Sequence, residues 1–175
     1  MRRFAASLVL LAACGPSAAS PEAVFNTAKQ AGQSKDWRTF YACFDPEKAP
    51  EMLLGIIMMA GFATMNDKEG EKELNSILAR HNFDPEKQKS SGMGDAKQAV
   101  AAIKDPPGLF QELMSFSEKK TKKGGQATMD IQGDLTDLKV DGDKASATIA
   151  MKEGKKMPLH FVRRGGSWYV TSDRN

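Results

Sequence analysis

The chain has 175 residues, of which 41% are hydrophobic and 27% are charged, and its formal net charge is +3 at pH 7. These values are ordinary for a single soluble domain with a core of its own. Two cysteines and two histidines leave little material for a metal site, and no basic stripe with interleaved aromatic residues predicts nucleic-acid binding. We therefore expect no metal, no cofactor and no nucleic-acid partner.

Residues 1–13 have the layout of an export signal. Arg2 and Arg3 form a short positive region, and residues 5–12 form an apolar stretch that is far below the roughly 20 residues needed to span a bilayer. The stretch ends in Leu11-Ala12-Ala13-Cys14, which resembles the lipobox of bacterial lipoproteins. That resemblance implies cleavage before Cys14 and attachment of a diacylglycerol to its thiol. The alternative is an ordinary signal peptide with an incidental cysteine.

A lipid on Cys14 would anchor the protein to a membrane of the bacterial cell envelope, facing the periplasm. Each buried CH₂ contributes roughly 0.8 kcal/mol and one acyl chain is marginal, so two or three chains would hold the protein firmly. Gly15 stands where an aspartate retains many lipoproteins in the inner membrane, which favours the outer membrane. Removal of the signal subtracts Arg2 and Arg3 from 25 basic residues, and the remaining 23 nearly balance 22 acidic ones.

The mature chain is predicted to consist of a tether of small residues at 14–19 and a single domain at 20–175. The sequence Ser20-Pro21-Glu22 is typical of a helix start, and this first helix is expected to end near Gly32. Asp36 can cap a second helix, which carries aromatic residues at helical spacing.

A third helix is predicted from about Pro50, and it contains an almost wholly apolar run at residues 52–65. Fourteen residues are too few to cross a bilayer, so we interpret the run as a buried core helix. Methionine thioethers can bind Cu(I), but methionine is also a common filler of irregular cores. We expect a core position for the four methionines of the run: Met52, Met58, Met59 and Met65.

Residues 66–83 are interpreted as a charged helix with a narrow apolar seam. His81, near the C-terminal end of this helix, is expected to face solvent. A loop at 84–94 precedes two more helices, the second of which begins at Asp105-Pro106-Pro107. The basic run at 119–125 is interpreted as a solvated loop, with contact to anionic lipid as the alternative.

Residues 134–171 predict four short strands joined by glycine-containing turns. Apolar and polar residues alternate along the second and third strands, which places one apolar row on one face of an antiparallel meander. The row comprises Ala145, Ala147, Ile149 and Met151, continued by Met157, Leu159 and Phe161. Helices followed by such a sheet indicate an α+β fold, in which the helices cover the apolar face.

Three segments of this pattern, 20–25, 35–41 and 163–170, are similar to the NTF2-like (cystatin-like) superfamily, and more narrowly to bacterial lipoproteins of that shape. The resemblance implies that the N-terminal helices fold across a curved sheet and form a cone. Residues 50–116 would then be an enlarged helical segment. By analogy, six residues would line the cone, or else fill a closed core: Trp37, Phe40, Phe44, Leu159, Phe161 and Trp168.

The superfamily includes isomerases, dehydratases, transport factors and binding modules, so the fold does not decide the function. An enzyme would need an acid or base inside the cone, and the candidates are Asp36, Tyr41, Asp45 and His160. None lies in a recognisable catalytic signature. Asp36 and Asp45 are interpreted as helix caps, and the strand alternation turns His160 away from the cone. Cys43 is expected to be buried and inert.

We therefore expect a non-catalytic module that binds a small apolar ligand or a partner protein. One alternative is a small isomerase or hydro-lyase that uses a carboxylate in the cone. Another is a structural protein whose sheet face pairs with a second copy of the chain.

Overall fold

The computed structural model describes residues 18–84, 98–100, 102–121, 131, 133–151 and 155–173. Its named helices are α1 (Pro21–Ser34), α2 (Trp37–Ala42), α3 (Ala49–Thr64), α4 (Lys68–Arg80) and α5 (Pro106–Thr121). Its strands are β1 (Asp134–Asp141), β2 (Lys144–Ala150), β3 (Lys156–Arg164) and β4 (Ser167–Thr171). The predicted α+β class, with helices first and a four-stranded antiparallel sheet last, is confirmed.

Three predicted features fall wholly or mostly outside the described residues. They are the signal peptide with Cys14, the loop at 84–94 beyond its first residue, and residues 122–125 of the basic run.

Local capping explains where the first two helices begin. The Ser20 hydroxyl accepts a hydrogen bond from the Ala23 amide at 3.2 Å, and Asp36 accepts one from the Thr39 amide at 3.1 Å, as predicted. The first helix passes Gly32, where its end was expected, and continues to Ser34. It ends because Lys35 adopts the left-handed conformation, with φ of 59°, and its amide bonds back to the last turn.

The sheet has the order β1-β2-β3-β4, and every neighbouring pair is antiparallel. The register places Ala145 opposite Phe161, Ala147 opposite Leu159 and Ile149 opposite Met157. These pairs share one face because side chains directly opposite each other in a ladder lie on the same side. The predicted apolar row is therefore confirmed for these six residues, whereas Met151 lies beyond the end of β2.

The edge strand β1 departs from strict alternation. Leu135 lies opposite Ile149 and Val140 opposite Ala145, so both belong to the apolar face although they are five positions apart. A register shift between Thr136 and Lys139, with Asp137 at φ of 54°, inserts the extra residue that makes this possible.

The other edge, along β4, is covered by the chain itself. The Trp168 amide donates to the Ala18 carbonyl and the Val170 amide donates to the Cys43 carbonyl, both at 2.9 Å. The Asp45 amide in turn donates to the Val170 carbonyl at 2.7 Å. Ala18 is buried by this contact, so the last part of the predicted tether is fixed to the domain.

The contact beside β4 also buries an ion pair. The fully buried carboxylate of Asp45 accepts bonds from Arg164 Nε at 2.7 Å, from Arg164 Nη2 at 3.1 Å and from the Thr171 hydroxyl at 3.3 Å. Burial raises the pKa of Asp45, but the donors from Arg164, Glu47 and Thr171 outweigh it and hold the pKa below its usual value. α2 ends at its C-cap Cys43 and the residue before α3 is Lys48, so the interpretation of Asp45 as a helix cap is wrong. Its carboxylate instead accepts a bond from the Glu47 amide at 3.1 Å in the turn between the two helices.

The helices form a second layer, in which α1 contacts the sheet and the other helices contact one another. α1 packs against β4 and α2, and α2 packs against α5. α3 and α4 pack against α5 and against each other. The main contacts of α3 are therefore with two other helices, on one of its sides.

Candidate functional site on helix α3

Helix α3 is apolar around its whole circumference, yet only one side of it is covered. The covered side is formed by Leu53, Ile56, Ile57 and Ala60, which are buried in the core. The opposite side is exposed: the exposed fractions are 48% for Met58, 71% for Met59, 68% for Phe62 and 73% for Met65. Soluble helices normally turn a polar face to water, so this exposure requires an explanation.

We call this surface the α3 face and define it by Met52, Gly55, Met58, Met59, Phe62 and Met65. Fourteen residues at 1.5 Å per residue make it about 20 Å long. At roughly 200 Å² per large side chain, the exposed parts of its members amount to roughly 500 Å². That is as large as the biggest apolar patch of a typical monomer, which is often functional.

The core position expected for the methionines is wrong for three of them. Only Met52 is partly buried against the core, whereas Met58, Met59 and Met65 are exposed. The available neighbours, α4 and α5, cover a single side of the helix. The exposure could have been inferred from the sequence, because α3 has no polar stripe. A helix without a polar stripe must be enclosed by its own domain on all sides or be covered by another apolar surface.

Charged residues lie only at the ends of the α3 face. Between Glu51 and Asp67 the sequence has no charged residue. Lys48, before the helix, is paired with Asp173 at 3.0 Å, and Asp67, after it, is paired with Lys120 at 2.7 Å. The face is thus an uninterrupted apolar strip with ionic residues at both ends.

A separate groove of about 340 Å³ lies between α4 and α5. Its lining comprises Glu73, Ser76, Ile77, Arg80, Gln111, Glu112, Ser115, Phe116 and Lys119. Ion pairs cross it: Lys119 contacts Glu73 at 3.4 Å, and Arg80 binds Glu112. Burial raises the pKa of Glu112, but hydrogen bonds from Arg80 and His81 outweigh it and keep the carboxylate ionised.

Two expectations about this groove region are wrong. The side chain of His81 is only 12% exposed, because its Nε2 lies 3.1 Å from a Glu112 oxygen. Lys119 and Lys120, at the start of the basic run, belong to the last turn of α5 and form ion pairs with Glu73 and Asp67. The loop conformation expected for Lys119 and Lys120 is therefore wrong, although the Lys119 side chain is 69% exposed as a solvated residue would be.

The six residues expected to line the cone all lie in or against the core. Trp37, Phe40, Phe161 and Trp168 are buried, and Phe44 and Leu159 are partly buried against them. Ring centroids are 5.7 Å apart for Trp37 and Phe40 and 5.2 Å apart for Phe40 and Phe44. Such contacts favour the alternative in which these side chains fill the interior.

The aromatic group of α2 packs on a residue outside the predicted set, Phe110 of α5. The Phe110 ring lies 5.3 Å from Tyr41, 6.1 Å from Phe40 and 6.4 Å from Trp37, measured between centroids. Phe110 is fully buried. The sequence shows it as one apolar residue of a helix and does not show which helix it meets.

Among Asp36, Tyr41 and His160, hydrogen bonds show a structural role for Asp36, whereas Nδ1 of His160 is buried without a hydrogen-bond partner among the described residues. Hydrogen bonds from the side chain and amide of Thr39 lower the pKa of Asp36, which caps α2 as predicted. Burial raises the pKa of Tyr41 to about 12. His160 lies opposite Ser146 and Thr171, on the other face from Phe161, as expected.

Cys43 is fully buried, and its thiol donates to the Thr39 carbonyl at 3.3 Å. Burial, assisted by the charge of Asp36, raises the pKa of this thiol to about 11. The expected burial is confirmed, and a thiol with so high a pKa carries almost no thiolate at neutral pH, which is what inertness requires.

The described ranges contain no group of three or more His, Cys, Asp or Glu residues placed to hold a metal ion. Within the same ranges, no helix has both the length and the apolar character needed to cross a membrane. Comparisons of the chain with family models, curated proteins and solved structures found no match.

Proposed function

We propose that this protein is a membrane-anchored lipoprotein of the bacterial cell envelope that acts as a non-catalytic protein-binding module. The binding surface is the α3 face, and the observation that carries the proposal is the exposure of Met58, Met59, Phe62 and Met65 on one uncharged strip. A helix face of this kind suits a partner helix or an apolar groove. Methionine adapts its shape to a partner at little cost in conformational strain.

Binding is better supported than catalysis by the state of the carboxylates. Among the described residues, the four carboxylates with shifted pKa values are Asp36, Asp45, Asp67 and Glu112, and each is shifted downward. A general acid at neutral pH needs the opposite shift. These groups are therefore suited to ion pairs and helix caps.

A protein partner is better supported than a small apolar ligand. α1 packs against β4, and Phe40, Phe161 and Trp168 are all buried, so in the proposed NTF2-like arrangement they would fill the cone. The α3 face, in contrast, is open to a partner. The opposite side of the sheet carries mainly polar residues, among them Ser146, Thr148 and Tyr169, so pairing through the sheet has less support.

A lipid on Cys14 would hold the domain close to the membrane. Ala18 is fixed at the edge of β4 by its bond to Trp168, which leaves three residues between Cys14 and Ala18. The four Cα–Cα steps from Cys14 to Ala18 span at most about 14 Å. The anchor would thus confine the α3 face to a thin layer at the membrane surface and raise its local concentration towards other anchored proteins.

The anchor is tested by metabolic labelling with an alkyne fatty acid in bacterial cells. We expect acyl label on the wild-type protein and on Cys43→Ser, and none on Cys14→Ser. The two variants remove the same atom from the two cysteines of the chain, so Cys43→Ser is the matched control. Equal labelling of Cys14→Ser would contradict the anchor.

The binding surface is tested by photo-crosslinking in intact cells. A photoreactive amino acid replaces Met59 on the α3 face or, as control, Asn26, which is exposed on α1. We expect a discrete protein adduct from position 59 and none from position 26, because only the first lies on the apolar strip. Absence of any protein adduct from position 59, or lipid adducts alone, would overturn the proposed function.

A further inference from the structure

We propose that the α3 face binds a second copy of this chain, as an antiparallel pair of α3 helices related by a two-fold axis between Met58 and Met59. This inference rests on the proposed function and names its partner. It follows from three properties of the face: its symmetric spacing, an open notch opposite a protruding ring, and its area and charge.

The spacing of the α3 face reads the same in both directions. Its members stand at positions 52, 55, 58, 59, 62 and 65, so the intervals are three, three, one, three and three, and the exposed Ala63 lies outside this set. A two-fold axis through the midpoint places Met52 opposite the partner's Met65 and Met58 opposite the partner's Met59. An interface of two identical patches requires this kind of self-complementarity. Positions 55, 58, 62 and 65 also follow the three-four repeat of paired helices.

The same axis places Phe62 of each copy opposite Gly55 of the other. Gly55 is exposed, and no atom lies within 4 Å of the position that a Cβ would occupy, so the helix has an open notch there. The ring of Phe62 projects into solvent. Each ring can therefore enter the partner's notch, and this happens twice, on either side of the methionines at the centre.

The area of the face fits a small protein interface, and the charges at its ends do not favour lipid. Two faces of roughly 500 Å² bury at most about 1,000 Å² together, which reaches the threshold for a biological interface and lies at its small, weaker end. At the ends of the face the charges are of both signs and paired, Lys48 with Asp173 and Asp67 with Lys120. Anionic lipid headgroups attract clusters of basic residues, and these paired charges do not form such a cluster.

The register is tested by disulfide formation between two differently tagged full-length chains produced in the same cells. One chain carries Gly55→Cys and the other Phe62→Cys, and the membranes are oxidised with copper phenanthroline. We expect a disulfide-linked pair that contains both tags. Each variant alone should give little product, since two copies of position 55 are about 10 Å apart along the axis, beyond the Cα separation of about 7 Å that a disulfide allows. The parent chain controls for Cys14 and Cys43.

A second variant pair tests the notch without disturbing the fold. Gly55 and Gly61 both lie in α3 with open space at the Cβ position, but only Gly55 lies on the α3 face. Gly55→Glu should reduce the yield of the self-adduct formed by the photoreactive residue at position 59 by about ten-fold. The introduced carboxylate would occupy the notch that otherwise receives the Phe62 ring of the other copy. Gly61→Glu should leave the yield unchanged.

The outcomes separate this inference from the proposed function. Product from Gly55→Cys alone would indicate a parallel pair and would overturn the inference. Adducts of position 59 with a different protein only, without a mixed disulfide, would also overturn it and leave the proposed function standing. No protein adduct at all would overturn both.

Discussion

Phe110→Ala is expected to lower the free energy of unfolding of the domain by about 4 kcal/mol. The Phe110 ring is fully buried, and it joins α5 to the three aromatic rings of α2. Its removal forfeits the burial of a large side chain and leaves a cavity that rigid rings cannot fill by small movements. Urea unfolding of a chain that starts at Gly15, followed by tryptophan fluorescence, measures the change.

The control is the same substitution on the α3 face. Phe62→Ala should change the stability of the monomer by no more than about 0.5 kcal/mol, because its ring is mostly in water before unfolding. The comparison requires a dilution at which only monomer is present. Equal losses for the two variants would place Phe62 in the core and would contradict the exposed face.

Asp45→Asn is expected to lower the free energy of unfolding by about 2 kcal/mol at pH 7. The amide keeps the shape of the side chain but loses the charge that accepts two hydrogen bonds from Arg164. The Arg164 side chain is 32% exposed and also contacts Glu47 at 2.8 Å, so solvent screening moderates the loss. Glu47→Gln removes the exposed partner of the same arginine and should cost less than about 0.5 kcal/mol.

The stability difference between the wild-type protein and Asp45→Asn should depend on pH. The folded-state pKa of Asp45 lies below its unfolded-state value, so the folded protein binds the proton less readily than the unfolded chain. The carboxylate's contribution is complete above the unfolded-state pKa of about 3.9 and is lost as the pH falls through the folded-state pKa. Urea titrations from pH 7 to pH 3 should show the two proteins converging below about pH 4. A constant difference over this range would contradict the role of the charge.

Local patterns predicted much of this fold, because their causes are local. The capping serines and aspartates act within three residues, as Ser20 and Asp36 show. The alternation in β2 and β3 reports directly on which side chains share a face, and the register confirms it. The bulge at Asp137 was not predicted, because an extra residue in one strand is defined only by its partner strand.

The candidate site could not be predicted in the same way. A helix such as α3, apolar on all sides, carries no polar stripe to show which side faces water. Which side is covered depends on where α4 and α5 pack, and no short-range pattern contains that information. The same holds for Asp45 and Arg164, which meet although 119 residues separate them.

Methionine oxidation tests the central claim, that the α3 face is exposed in the isolated domain and covered by protein in the membrane. Dilute hydrogen peroxide converts accessible methionine to the sulfoxide, and peptide mass spectrometry gives a rate for each position. In a dilute chain that starts at Gly15, we expect Met58, Met59 and Met65 to react at least about ten-fold faster than Met114, which is buried in α5.

In membranes that hold the full-length protein, the reaction at Met58, Met59 and Met65 should slow towards the rate of Met114. Slow oxidation of all four methionines in the dilute domain would place α3 in the core. Equally fast oxidation of the three face positions in domain and membrane would show that nothing covers the α3 face, and it would contradict the proposed function.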